Sequence, residues 1–185
     1  MRDGVSGLEL IDALLDLAKS TDQPIIAIDG PAGAGKTTLA THLSAALSLK
    51  YKCTIIHMDQ IYNGWNAPFD EHFTQALIQI VKAHKKAEAI PLTQYNWHHA
   101  AYDEHQLLPP TQLLILEGVA STHSLIREDL TASLWIEIEP QIGLDRVLAR
   151  DGKEISDEMN SWLVLQAQHF ATNDSQMKAD FVLTT

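Results

Sequence analysis

The stretch IIAIDGPAGAGKTTLA, residues 25–40, decides the fold. It joins an apolar run that reads as a buried strand to a run with helical spacing, and it places Gly30, Gly33 and Gly35 within six positions. Gly30, Gly35, Lys36 and Thr37 satisfy G-x-x-x-x-G-K-[ST], with the strand before and the helix after that this pattern requires. Small residues let consecutive backbone N–H groups turn toward phosphate oxygens, and the positive end of a helix starting near Lys36 adds its partial charge. The expected phosphate cradle is therefore Gly30, Pro31, Ala32, Gly33, Ala34, Gly35, Lys36, Thr37 and Thr38. Lys36 would reach the β and γ phosphates of a bound nucleotide, and the Thr37 hydroxyl oxygen would serve Mg²⁺. A dinucleotide loop fits less well, because Thr38 stands where G-x-G-x-x-G has its last glycine. A glycine-rich turn without a ligand is the remaining alternative, and the strand–loop–helix setting speaks against it.

Bulk properties set the limits around this motif. A chain of 185 residues, 45% of them hydrophobic and 20% charged, fits one domain over residues 1–185 with a sizeable core. A formal net charge of -11 argues against nucleic acid or an anionic membrane as the main partner, so phosphate must be met by local groups. The N-terminus shows no basic segment followed by an apolar core, and no run approaches the ~20 apolar residues of a membrane span. A cytoplasmic location is the expectation. Cys53, the only cysteine, lies in the apolar run CTIIHM and reads as a small strand residue; no disulfide can form within one chain.

Apolar segments alternate between two periods along the chain, which predicts an α/β, three-layer P-loop fold with a five-stranded parallel sheet. The strand-like runs are residues 24–29, 53–58, 112–117, 133–138 and 180–184. Helix-compatible stretches at 37–49, 70–88, 122–130, 140–151 and 155–171 would cover the sheet. An N-terminal helix within residues 1–23 is predicted from a capping box, Ser6 to Glu9, and from Leu8, Ile11, Leu15 and Ala18 at helical spacing. Residues 89–111, with Pro91, Pro109 and Pro110, read as an irregular excursion of the kind that often carries function.

Two acids say what happens to a bound nucleotide. Asp59 follows TIIHM and Glu117 ends LLILE, so both fall at the C-terminal edge of predicted strands, where open α/β sheets bind ligands. Carboxylates there can hold Mg²⁺, and one beside an acceptor hydroxyl can take its proton during phosphoryl transfer. Either acid alone also reads as a solvated strand end. Arg146 and Arg150, at i and i+4, share one helical face and could neutralise charge on a transferring phosphoryl group, or pair with Asp145 and Asp151 on an exposed face.

The ordered set IDGPAGAGKTT, MDQIYNGW, IPLTQYNW, LLILEGV, LDRVLARD and KADFVLTT resembles the uridine kinase and phosphoribulokinase family, nearest its uridine-cytidine kinase branch. The resemblance runs from about residue 24 onward. It implies a P-loop kinase fold, ATP with Mg²⁺ as donor, and the primary hydroxyl of a small molecule, uridine or cytidine foremost, as acceptor. By position it makes Asp59 the catalytic base and a metal-shell ligand, with Tyr62 nearby in the acceptor site, and makes Glu117 the acid of the E-G motif. It places Tyr95 beside the base of a nucleoside, and Arg146 and Arg150 in a lid over residues 144–155.

The chain also departs from that family. The segment that supplies a ribose-binding aspartate is short here, NGWNAPFDEHF, so Asp70 either replaces that contact or caps the helix beginning near Glu71. The lid ends RDGKE, which leaves Lys153 as a point charge where the family has further arginines. Trp65 and Trp97 flank the proposed site and either stack on a planar substrate or fill core. His98, His99 and His105 fit no common zinc spacing, and acceptor contacts or solvent exposure suit them better. Three function classes result: a kinase of uridine, cytidine or another alcohol such as a pantothenate-like acid or a sugar; a P-loop ATPase or nucleotide-gated interaction protein; and a binding protein without turnover.

Overall fold

The computed structural model describes residues 7–185, so the Ser6 end of the predicted capping box lies outside the described residues. β1 (Ile25–Asp29) is buried along its whole length, which explains why its sequence is an unbroken apolar run. It runs parallel between β5 (Leu113–Glu117) and β6 (Ala132–Glu137), with β2 (Cys53–His57) outside β5 and β7 (Phe181–Thr184) outside β6. The order β2-β5-β1-β6-β7 is an all-parallel sheet made of the five runs expected from sequence.

Alternate residues of β1 feed two cores. Ile26 and Ile28 join α1 (Gly7–Lys19) and α2 (Lys36–Leu47) through Leu10, Leu14, Leu43 and Leu47 on one face. Ile25 and Ala27 face the opposite layer, built from α3 (Glu71–Lys85), α4 (Pro140–Asp151) and α5 (Ser156–Asn173) through Phe73, Leu77, Val147 and Trp162. The result is the expected α/β three-layer sandwich. In α1 the buried stripe is Leu10, Leu14, Leu15 and Ala18, while Leu8 is exposed, so the helix is rotated from the face its sequence suggested.

Two segments differ from expectation. Residues 89–111 are a β-hairpin, β3 (Ile90–Asn96) against β4 (Ala101–Leu108), antiparallel and separate from the main sheet. Ile90 and Leu92 bury against the α3 layer while Pro91 between them is exposed, the alternation of a half-buried strand. Proline is tolerated there because a two-stranded ribbon is all edge. Residues 122–130 form turns and a short 3₁₀ segment, Arg127–Asp129, and not a helix. Their backbone groups are claimed by side chains: Asp29 accepts from Thr122 N at 3.2 Å, Asn173 Oδ1 from Ser124 N at 3.0 Å, and the Arg127 guanidinium donates to Thr122 O at 3.3 Å.

Candidate active site

The loop after β1 folds tightly because its glycines occupy space no side chain could. Gly33 has φ +77°, and a Cβ on it would meet Gly143 O in α4 at 2.2 Å; Gly30 has φ +140° and abuts Ile136 O of β6 at 2.4 Å by the same measure. Gly35 at φ 92° opens α2, whose first residue is Lys36. The loop thus lies wedged between the C-terminal edge of the sheet and α4, at the start of a helix.

Lys36 is 9% exposed, and its ammonium donates to Gly30 O and Pro31 O, each at 2.8 Å. Burial lowers its pKa to about 8, opposed by the nearby charges of Asp29 and Glu117. The Thr37 hydroxyl donates to Glu117 Oε1 at 3.0 Å, so the loop and the end of β5 are directly linked. Glu117 is 4% exposed, and its Oε1 also meets His57 Nδ1 across the β2–β5 register pair His57↔Glu117. That contact raises the His57 pKa against the opposing effect of burial. Asp59 follows in a short 3₁₀ turn, Met58–Gln60. It is exposed to the cleft rather than to open solvent: the protein around it raises its pKa first by desolvation and then by repulsion from Glu117.

These groups line one side of a cleft of about 1070 Å³ that also contains Ala32, Gly33, Gly35, Thr38, Arg146 and Arg150. The other side is aromatic, with Tyr62, Trp65, Trp97 and Trp162. Trp65 meets Trp97 edge-on at 5.1 Å and Trp162 at 6.0 Å. Trp97, at the end of the hairpin, donates its indole N–H to the backbone oxygen of Asp59 at 3.1 Å. The hairpin that sequence left irregular therefore supplies one wall of the cleft. His98 lines the same wall, whereas His99 bonds Asp103 at 2.8 Å and His105 bonds Thr93 at 3.0 Å.

Not every residue singled out from sequence lies in the cleft. Asp70 caps α3, accepting from Phe73 N at 3.0 Å through Oδ1, while its Oδ2 accepts from Asn63 at 2.7 Å. It borders a separate cavity of about 410 Å³ with Phe69, His123 and His169. Tyr95 packs on Trp97 at 5.2 Å and Tyr102 at 5.1 Å and is not among the lining residues. Tyr62 does line the cleft, but its hydroxyl is committed to Val119 O at 2.8 Å. Of the two arginines that the resemblance placed in a lid, Arg146 reaches Gly33 O at 3.3 Å, and Arg150 forms a two-point pair with Asp151 at 2.7 and 2.6 Å. Lys153 is not among the lining residues, while Ile155 beside it is.

Three contributors escaped sequence reading. Asp29, fully buried, accepts from Gly30 N, Ala120 N, Thr122 N and the Thr122 hydroxyl, binding the phosphate loop to the segment after Glu117. His57 carries no motif, but its position two residues before Asp59 at a strand end was a usable signal. Gln166 of α5 accepts from Ala32 N at 3.1 Å and from Trp162 Nε1 at 3.2 Å, and nothing in the sequence marks it.

No family model matches the chain. A curated relative, Disease resistance protein RML1B of Arabidopsis thaliana, is 38% identical over 74 residues, which is 38% of this chain and 7% of that protein. Solved structures match far more completely. A Bacillus stearothermophilus protein described as a possible uridine kinase superposes with TM-score 0.64 and 19% identity, over 95% of this chain and 99% of that one. A candidate fructose transport system kinase from a Silicibacter species gives TM-score 0.66 and 18% identity, over 97% and 99%. D-glycerate 3-kinase from Cryptococcus neoformans gives 0.63 and 10%, over 88% and 85%. The parallel sheet, the loop at its edge and these superpositions together give the chain the three-layer α/β P-loop fold of these solved structures.

Proposed function

We propose that this protein is an ATP-dependent kinase that phosphorylates a primary hydroxyl of a small molecule, with uridine and cytidine the first acceptors to examine. One observation carries the reading: a single cleft joins a phosphate loop and its carboxylates to an aromatic wall, and the backbone of Asp59 is bonded to Trp97 of that wall. A loop that only switched on ATP would have no use for that second half.

The backbone N–H groups of the loop and Lys36 would hold the phosphates, with Arg146 and Arg150 closing over them from α4. An all-oxygen donor set, the Thr37 hydroxyl with Glu117 and Asp59, suits Mg²⁺, and Thr37 already gives its proton to Glu117, which leaves its oxygen lone pairs for a cation. Mg²⁺ bound there supplies positive charge to the phosphate oxygens. Asp59, its pKa raised, is the group placed to accept the proton of the attacking hydroxyl. Trp97 and Trp65 would flank the acceptor, and the aromatic surface favours a planar one.

A second reading, a non-nucleoside alcohol such as a pantothenate-like acid or a sugar derivative, is supported by Asp70. Both of its oxygens are engaged away from the cleft, so the ribose hydroxyls expected by resemblance to bond Asp70 have no acceptor there. The test is acceptor-dependent ADP release across nucleosides and non-nucleoside alcohols, run beside Asp59→Asn. Release stimulated by uridine or cytidine supports the first reading, stimulation only by other alcohols the second, and indifference to every acceptor contradicts both.

A further inference from the structure

The peptide unit joining Pro31 to Ala32 is held at both ends. Its carbonyl accepts from the Lys36 ammonium at 2.8 Å, and its N–H donates to Gln166 Oε1 at 3.1 Å. The same oxygen accepts from Trp162 Nε1 at 3.2 Å. Gln166 is 5% exposed and Trp162 is 6% exposed, so the bond between them is buried and has no water as a ready substitute. Trp162 in turn packs on Tyr62 at 5.0 Å and Trp65 at 6.0 Å, which line the aromatic half of the cleft, and on Phe69 at 5.5 Å.

We propose that Gln166 is a positioning residue that senses the state of the phosphate loop through the Pro31–Ala32 peptide and sets the Trp162 ring accordingly. The inference rests on the kinase reading of the cleft. When phosphate draws the Lys36 ammonium off the Pro31 carbonyl, that peptide loses the cation that polarised it, and its N–H becomes a weaker donor to Gln166. Gln166 Oε1 then leans toward its other donor, the Trp162 indole. Occupancy at the phosphate end is thereby felt at the acceptor wall, through one amide oxygen shared by two donors.

ADP with Mg²⁺ is the probe, followed by calorimetry for binding and by tryptophan emission for the response. The wild type is expected to bind ADP with a change in emission, and Trp162→Phe to bind with most of that change gone. Gln166→Met, close in size but without the acceptor oxygen, should bind ADP to within about tenfold of wild type yet lose the same part of the change. Gln166→Glu keeps an oxygen for both donors and should restore it, which a merely structural role for the side chain would not predict. Gln166→Asn, too short to reach both donors, takes the place of Gln166→Met if that variant fails to fold. A wild-type emission change in ADP-bound Gln166→Met, or ADP binding to the wild type with no emission change, overturns the proposal. Failure of the wild type to bind ADP at all would overturn the kinase reading itself.

Discussion

Substituting Gly143 by alanine tests whether the phosphate loop is braced by α4. A Cβ at Gly143 would meet Ala32 O at 2.7 Å and Ile138 Cγ2 at 3.5 Å, so the first contact forces a shift and the second does not. Two terms oppose each other. Alanine in a helix interior gains about 1 kcal/mol over glycine. Overpacking against a backbone that cannot rotate away costs about 1–3 kcal/mol. The balance is a loss of roughly 0–2 kcal/mol, which for a chain of this size lowers Tm by up to about 8 °C. The strain falls on the loop, because the clashing atom is its own carbonyl and Gly33 is packed just as closely on Gly143 O. Displacing Ala32 loosens its bond to Gln166 and misaligns the amides that follow, so ADP affinity should drop about tenfold or more, equivalent to about 1.4 kcal/mol. Calorimetry with ADP and Mg²⁺, paired with thermal unfolding, reads both quantities. A Gly143→Ala protein that is more stable than wild type and binds ADP unchanged would refute the bracing argument.

Other outcomes follow from the same geometry. Lys36→Ala should abolish turnover while leaving the unfolding transition within a few degrees of wild type; full activity in a folded variant contradicts the role assigned to Lys36. Asp59→Asn should lower kcat by at least about a hundredfold with ADP affinity little changed, and equal losses in both would make Asp59 chiefly a metal ligand. Asp70→Ala should cost about 1 kcal/mol through the lost cap and leave any preference between ribo- and deoxyribonucleosides unaltered; a selectivity change would return Asp70 to the acceptor site. His169, buried beside His123, has its pKa lowered to about 4, below the ordinary 6.5, so the unfolded chain binds more protons between those values. Stability should therefore fall as pH drops from about 6.5 to 4, by roughly 3 kcal/mol from this group, and His169→Phe should flatten the Tm–pH curve over that window.

The sequence made the sheet legible because each of its strands is a short apolar run closed by a turn signal, and because the phosphate loop fixes where β1 ends and α2 begins. Asp59 and Glu117 were readable for the same reason, as acids at strand ends. The hairpin of residues 90–108 was not, since its outer face is polar and Pro91 looks like a breaker until a separate two-stranded ribbon makes every strand an edge. Residues 122–130 misled in the opposite sense: their helical spacing is real, but the side chains of Asp29, Asn173 and Arg127 take backbone groups a helix would use, Thr122 N, Ser124 N and Thr122 O. Gln166 and Asp29 act through partners more than ninety residues away in sequence, Ala32 at a separation of 134 and Ala120 at 91, and no local pattern encodes such a pairing.

The most direct test of phosphoryl transfer to an alcohol is to follow the label from γ-labelled ATP in single turnover, with uridine, cytidine and non-nucleoside alcohols offered in turn. The account predicts that with at least one acceptor the label leaves ATP on an organic phosphate ester, and that Lys36→Ala stops its release. Label appearing only as inorganic phosphate, at a rate no acceptor alters, would contradict it.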